Sequence, residues 1–173
     1  MESGRIVVVD YDESWPRRFD SEAEQIRAAL GDRVLLLEHA GSTAVPGLAA
    51  KPVIDIVLAV ADSANEAGYG EALKHAGYRL LIREPEWFGH RMFKGPGEDV
   101  NLHVFTNGCA EVGRMLAFRD WLRRNGSDRA LYEQTKRTLA RREFKNTQEY
   151  ADAKGAVVEE ILTRAFRAAD QQP

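Results

Sequence analysis

The sequence is poor in the features that mark secreted, membrane-spanning and cysteine-rich metal proteins. It contains one cysteine, Cys109, so neither an internal disulfide nor a multi-cysteine zinc site is possible. No stretch reaches the roughly 18 consecutive apolar residues of a membrane-spanning helix. The N-terminal residues lack the apolar core and cleavage pattern of a signal peptide. We therefore expect a cytoplasmic protein that does not engage a membrane.

Two further features that the sequence lacks argue against particular classes of function. The chain lacks a glycine-rich loop ending in Gly-Lys-Ser or Gly-Lys-Thr, which argues against a P-loop kinase. Its net charge is −3, and it has no basic stripe interleaved with aromatics, which argues against nucleic acid as a partner. From Cys109 to Tyr150, however, ten Lys and Arg residues stand against six Asp and Glu residues. This basic stretch either faces a polyanionic ligand or presents solvated helix faces.

Hydrophobic periodicity divides the chain into a strand-rich part and a helical part. Strands are expected at 5–9, 34–37, 53–60, 78–82, 90–94 and 99–105. Helices are expected from about 14 to 30, 62–75, 111–125, 127–142 and 147–166. Without a visible linker, we expect one domain over residues 1–173, strand-rich over 1–108 and helical over 109–169. This order predicts an α+β fold: a mixed sheet with flanking helices and a C-terminal three-helix segment.

Groups suited to phosphate chemistry are concentrated between His39 and Val60. The turn Gly41-Ser42-Thr43 lets the backbone approach a phosphate, and Ser42 can donate a hydrogen bond to it. About a dozen residues later, Asp55 is a lone acid inside an apolar strand. An unpartnered buried carboxylate is costly. Asp55 must therefore face an open cleft, bind a cation, or pair with a base such as Lys51.

Several other polar residues accompany this stretch. Asn101 and His103 share one face of the last strand, together with Asp99. His39, His90 and His103 are compatible with a transition-metal site that includes Asp55, with phosphate contact or acid–base work, or with structural roles. Arg91 is suited to holding phosphate or an acceptor, or is a surface charge.

The C-terminal helices contain a repeated aromatic and lysine spacing. Tyr132 and Lys136 are four residues apart, as are Tyr150 and Lys154, so each pair lies on one helical face. Such a pair can place a ring against a base or sugar and an ammonium on a triphosphate. The alternative is a core tyrosine with a lysine whose stem lies along it.

Seven segments resemble the GrpB family, a nucleotidyltransferase-like group also found fused to dephospho-CoA kinase. They are DYDESWPRRF, EHAGSTAVPGLAAKPVIDI, EPEWFGHRMF, DVNLHVF, FRDWLRRN, LYEQTKR and YADAK. The resemblance covers nearly the whole chain and implies a nucleotidyltransferase-like fold. It favours metal-dependent transfer from a nucleoside triphosphate to an unknown small acceptor, with Mg²⁺ as the cofactor.

On this interpretation the candidate site residues take three roles. Catalysis would fall to Asp55, His103 and Lys51, and the metal to Asp55, Asn101 and His103. The nucleotide would contact Gly41, Ser42, Thr43, His39, Arg91, Tyr132, Lys136 and Lys154.

The chain departs from the superfamily pattern at one position. Nucleotidyltransferases place a pair of acids one residue apart on the strand that carries the metal ligands, and here the second position is Val57. This departure leaves a second hypothesis open, in which the fold is catalytically degenerate and only binds a nucleotide or a CoA-type phosphate.

Overall fold

A five-stranded mixed sheet forms the centre of the computed structural model, which describes residues 6–144 and 146–171. The strand order is β1-β2-β5-β4-β3. The strands are β1 (Leu36–Ala40), β2 (Ile54–Val60), β3 (Arg79–Glu84), β4 (His90–Lys94) and β5 (Val100–Thr106). The helices are α1 (Trp15–Leu30), α2 (Gly70–His75), α3 (Ala110–Arg124), α4 (Gly126–Ala140) and α5 (Thr147–Asp170). The α+β class and the C-terminal helices expected from the sequence are confirmed.

Strands β2 and β5 run parallel at the middle of the sheet, and the other neighbouring pairs are antiparallel. Along β2, alternate side chains point to opposite faces. Ile54, Ile56 and Leu58 belong to the core cluster that includes α1 and α2. Asp55 and Val57 therefore point to the other face, where the C-terminal helices pack.

Helices α1 and α2 cover the first face with a continuous apolar surface. Trp15, at the start of α1, is 2% exposed and lies in this core, as its position at the helix entrance predicts. Ile26 of α1 and Leu73 of α2 are fully buried in the same cluster. Burial of this kind stabilises the fold by about 1.5–3 kcal/mol for each large side chain.

Helices α3, α4 and α5 cover part of the second face. Val112 of α3 packs with Val57 and Phe105 of the sheet. A second cluster joins Val45 and Leu48, in the β1–β2 connection, to all three helices. The Asn125 and Asn146 side chains accept hydrogen bonds from the first turns of α4 and α5, so each residue caps the helix that follows it.

The first strands differ from the sequence prediction. Strand β1 spans 36–40 rather than 34–37 and lies at an edge of the sheet. Leu35 precedes the strand and is 50% exposed. For the predicted strand 5–9, Arg5 lies outside the described residues, and Val9 forms a single antiparallel bridge with Ala50.

Helix α2 is shorter than predicted because its expected first turns are tied to the sheet. The hydroxyl of Ser63 donates to the Gly89 carbonyl at 2.8 Å, and its N–H donates to Thr106 Oγ1 at 3.0 Å. The Tyr69 hydroxyl donates to the Ser63 carbonyl. No helix within the described ranges combines the length and apolar character needed to cross a bilayer.

Candidate functional site

A cavity of about 170 Å³ opens on the second face of the sheet, where the first residues of β2 and β5 meet α4 and α5. It has room for more than a single water or ion. The lining residues come from the β1–β2 connection, the two central strands and the two last helices: Ser42, Thr43, Lys51, Val53, Asp55, Asn101, Lys136, Tyr150, Ala151 and Lys154.

The glycine turn and Asp55 meet because β1 and β2 are antiparallel neighbours. Ala40 is paired with Asp55, so the turn that follows Ala40 lies beside the carboxylate. Gly41 has φ of 69°, and a Cβ at this position would lie 2.7 Å from Asp55 Oδ2. Only glycine fits this close approach without strain. The turn continues as a single 3-10 turn, Ser42–Ala44.

The two hydroxyl groups of the turn have different surroundings. Thr43 is buried, and its hydroxyl donates to the Val53 carbonyl at 3.2 Å while contacting His39 Nε2 at 2.9 Å. Its single proton is therefore used within the protein. Ser42 is half-buried and lines the cavity. Burial raises the pKa of the nearby Tyr132 phenol, and a hydrogen bond with Ser42 partly opposes this effect. Of the two, Ser42 is the better placed hydroxyl for a ligand.

Two residues expected at the phosphate lie on the opposite face of the sheet. His39 is paired with Ile56, stacks on Phe19 of α1 and is 6% exposed. Burial lowers the pKa of His39 to about 4. Arg91 is paired with Val104, and its guanidinium donates to Glu66 at 3.0 Å. Neither residue reaches the cavity, because adjacent strand residues alternate between faces.

Asp55, Asn101 and His103 do come together. In the parallel register, Asp55 is paired with Asn101, and Val57 with His103. His103 Nε2 lies 3.1 Å from Asp55 Oδ1, so the side chain that contacts the Asp55 carboxylate is His103 rather than Lys51. Asn101 Oδ1 is buried, and within the described residues it is the one such side-chain atom without a hydrogen-bond partner.

Asp99 does not join them, although the sequence placed it on the same face. It precedes β5 and forms an ion pair with Arg18 of α1.

A chain of hydrogen bonds extends from Asp55 across the sheet. His103 Nδ1 lies 3.0 Å from His90 Nε2, and His90 Nδ1 lies 2.7 Å from Glu84 Oε1. Burial lowers the pKa of His90, and the hydrogen bond with Glu84 opposes that effect. Sequence analysis missed Glu84. Glu84 follows Arg83 at the end of β3, six residues ahead of His90. The short β3–β4 connection between Glu84 and His90 was the signal that their side chains would meet.

Lysines dominate the electrostatics of the cavity. Lys136 is 2% exposed, and its ammonium lies 4.8 Å from the centre of the Tyr132 ring while donating to the Ala49 carbonyl at 2.5 Å. Burial lowers the pKa of Lys136 to about 7, and nearby Lys154 adds to the effect. Burial also lowers the pKa of Lys154, opposed by Asp55 and reinforced by Lys51.

The two tyrosine–lysine pairs differ in their relation to the cavity. Tyr132 lies in the core against Phe118 and does not line it, whereas Lys136 does. Tyr150 lines the cavity together with Lys154, whose ammonium lies 4.6 Å from the centre of its ring. Tyr150, rather than Tyr132, is therefore the aromatic residue available to a ligand.

The donor set suits a divalent ion that arrives with a ligand. Within the described residues no group of three or more His, Cys, Asp or Glu side chains could hold a metal alone. Asp55 offers a carboxylate, His103 an imidazole, and Asn101 an amide oxygen that lacks a partner. An ion held by so few protein groups would take its other ligands from a phosphate or from water.

Comparison with solved structures defines the class of fold. The chain superposes on the crystal structure of GrpB from Enterococcus faecalis with a TM-score of 0.84 and 29% identity, covering 95% of this chain and 100% of that one. It also superposes on Cid1, solved in complex with its short product ApU, with a TM-score of 0.55 and 12% identity, covering 74% of this chain and 42% of that one. The fold is thus nucleotidyltransferase-like.

Sequence comparison gives the family. The GrpB protein family matches residues 5–164, and a UPF0157 protein of Halalkalibacterium halodurans is 56% identical over 92% of this chain and 82% of its own length. A dephospho-CoA kinase of Mycolicibacterium paratuberculosis is 29% identical over 94% of this chain and 46% of its own length. The chain belongs to the GrpB family.

Proposed function

We propose that this protein binds a nucleoside triphosphate with a divalent ion in the cavity beside Asp55 and transfers a nucleotidyl group to a small acceptor. The observation that carries the proposal is the charge of the cavity: three lysines, Lys51, Lys136 and Lys154, surround one carboxylate. A cationic cavity of this kind suits a polyphosphate. The nucleotidyltransferase-like fold supports the same class of ligand.

The residues divide the work according to their positions. Ser42 donates to a phosphate oxygen, and Lys154 and Lys136 neutralise the charge of the triphosphate. Tyr150 offers a ring face to the base or sugar. Asp55 holds the divalent ion, with Asn101 and His103 beside it, and a bound ion would stabilise negative charge on the oxygens of the transferring group. The sequence alone suggests Mg²⁺ as that ion.

One observation favours a second candidate, a binding module without transfer activity. Val57 occupies the position of the second acid, is fully buried, and packs with Ala40, Phe105 and Val112. Val57 does not line the cavity. In this alternative the cavity holds a nucleotide or a CoA-type phosphate. The match to about half of a dephospho-CoA kinase is consistent with that ligand class.

Two measurements on the purified chain test the proposal. Calorimetry with α,β-methylene analogues of ATP, GTP, CTP and UTP, with Mg²⁺ or Mn²⁺ present, detects binding without turnover. Pyrophosphate release from the four natural triphosphates, with a panel of alcohol, amine and phosphate acceptors, detects transfer. We expect binding and release in the wild type, and loss of release in Asp55→Asn.

The outcomes separate the two candidates. Saturable binding without pyrophosphate release on any acceptor supports the binding module. No binding of any analogue, or of a CoA precursor, with either ion contradicts both candidates. Unchanged pyrophosphate release in Asp55→Asn contradicts the assigned role of this carboxylate.

A further inference from the structure

Three hydrogen bonds in series fix the ring orientations of His90 and His103. They join Glu84 Oε1 to His90 Nδ1 at 2.7 Å, His90 Nε2 to His103 Nδ1 at 3.0 Å, and His103 Nε2 to Asp55 Oδ1 at 3.1 Å. The two imidazole rings are also stacked, with centroids 5.2 Å apart and planes inclined by 21°. His90 is buried among Trp87 and Phe105, so neither ring turns freely.

With both histidines neutral, this chain has two protons for three contacts, so one contact is left without a donor. A carboxylate only accepts hydrogen bonds, so His90 Nδ1 carries a proton and donates to Glu84. In neutral His90 the other nitrogen, Nε2, is an acceptor, and it accepts from His103 when His103 carries its proton on Nδ1. In that tautomer the lone pair of His103 Nε2 points at Asp55 Oδ1, two acceptors face each other, and a metal ion bound to both groups satisfies the pair. In the other tautomer His103 Nε2–H donates to Asp55, and the unfilled contact lies between the two imidazoles, where a proton is needed.

A histidine whose second ring nitrogen is held by a hydrogen bond, as in His103, is a common kind of metal ligand in proteins. An imidazole that binds a metal through one nitrogen usually donates its other N–H to a carboxylate, a carbonyl or a further polar group. With its proton on Nδ1, His103 presents Nε2 to Asp55 and donates Nδ1–H to His90, which Glu84 holds in turn. Beside Asp55, Asn101 Oδ1 adds a buried oxygen that has no partner among the described residues.

From this arrangement we infer that the ion at Asp55 is a first-row transition-metal ion, such as Mn²⁺ or Co²⁺, rather than the Mg²⁺ suggested by the sequence. Mg²⁺ prefers oxygen ligands, whereas transition ions accept a mixed set of imidazole and oxygen ligands. His103 is the ligand that selects the ion, and His90 and Glu84 are positioning residues. The inference rests on the proposed function in one respect only: the phosphate that completes the ligand set of the ion belongs to the proposed triphosphate.

The first test uses Co²⁺ alone as a spectroscopic probe, because its visible absorption reports nitrogen coordination. The protein is titrated with Co²⁺ in the absence and presence of the α,β-methylene triphosphates. We expect an absorption band that is lost or shifted in His103→Gln and weakened about 10- to 100-fold in apparent affinity in His90→Gln. His75→Gln, at an exposed histidine of α2, is the matched control and should behave as wild type.

The second test compares metal ions by calorimetry. We expect the wild type to bind a triphosphate analogue at least about tenfold more tightly with Mn²⁺ or Co²⁺ than with Mg²⁺. His103→Asp supplies an oxygen ligand instead, so its preference should move toward Mg²⁺. Thermal melting of every variant establishes that it is folded before its affinities are compared.

Failure of the inference is distinguishable from failure of the proposed function. If His103→Gln leaves both the Co²⁺ spectrum and the Mn²⁺ preference unchanged, only a proton satisfies the His103–Asp55 pair and the inference is overturned. If no triphosphate binds, but the Co²⁺ band still depends on His103, the metal site stands and the proposed function falls.

Discussion

The backbone of Gly41 lies against the carboxylate of Asp55, so that a Cβ on Gly41 would be 2.7 Å from Oδ2 and 3.1 Å from Cβ of the aspartate. At this contact the turn proposed to bind phosphate meets the strand that carries Asp55. The turn therefore limits the position of the carboxylate, and a change in one residue must move the other.

Gly41→Ala should displace Asp55 and weaken triphosphate binding. The positive φ of 69° alone costs a non-glycine residue about 1–2 kcal/mol, and the steric overlap adds about 1–3 kcal/mol. Gly47→Ala is the matched control, because Gly47 has φ of 81° with nothing within 4 Å of its added Cβ. Chemical denaturation and calorimetry of both variants measure the difference. Equal losses of affinity would mean that the Asp55 contact is unimportant.

Binding of a polyphosphate should be coupled to proton uptake by Lys136. Burial and Lys154 hold the pKa of Lys136 at about 7 in the empty cavity, and a bound anion favours the charged form, so its pKa rises in the complex. Above pH 7 the complex then binds more protons than the free protein, and affinity falls as the pH increases.

Calorimetry at pH 8 in buffers of different ionisation enthalpy measures this uptake directly. Lys136→Gln removes the titrating group and should reduce the number of protons taken up, although Lys154 still contributes. Arg141→Gln, at an exposed arginine directly after α4, is the control. A proton uptake that does not change in Lys136→Gln contradicts the prediction.

Acid should destabilise the protein through His39. The pKa of His39 is about 4 in the folded protein and 6.5 in an unfolded chain. The contribution of neutral His39 to the free energy of unfolding is therefore fully present above pH 6.5 and is lost as the pH falls through 4. A difference of this size corresponds to about 3 kcal/mol. His39→Gln keeps a donor toward Thr43 but does not titrate.

Denaturant unfolding at pH 7, 5.5 and 4.5 compares the pH dependence of the variants. The free energy of unfolding should fall less steeply with decreasing pH in His39→Gln than in the wild type, while His75→Gln should retain the wild-type pH dependence. If the His39→Gln slope equals that of the wild type, another group is responsible for the acid sensitivity.

Helix α4 is hydrogen-bonded to both backbone groups of Ala49, a residue of the β1–β2 connection. Glu133 Oε1 accepts from the Ala49 N–H at 2.8 Å, and Lys136 donates to the Ala49 carbonyl. Glu133→Ala should destabilise the fold by about 1–2 kcal/mol and speed amide exchange around Ala49. Gln134→Ala, at an exposed position of the same helix, is the control. Hydrogen exchange read by mass spectrometry makes the comparison.

Sequence reasoning succeeded where the contacts are local. The spacing of the turn and Asp55 was sufficient to predict their convergence, because antiparallel β1 and β2 place Ala40 opposite Asp55. The helix caps at Asn125 and Asn146 follow from their residue types.

Other predictions depended on contacts that a linear pattern does not reveal. The pairing of His39 with Ile56 decides which face of the sheet carries His39, and the packing of α4 against α5 decides whether Tyr132 or Tyr150 meets the cavity. The link between Glu84 and His90 depends on the β3–β4 pairing, whose register shifts between Leu80 and Ile82. These are tertiary outcomes, and periodicity carries no information about them.

The packing of Val57 has a consequence for engineering and for evolution. A single substitution to aspartate would not by itself restore a two-acid motif, because Val57 is fully buried against Ala40, Phe105 and Val112 and does not line the cavity. The new carboxylate would be desolvated between Glu38 and His103, its neighbours across the sheet, and its pKa would rise. A variant with a second acid is therefore expected to need compensating changes around position 57 before it gains activity.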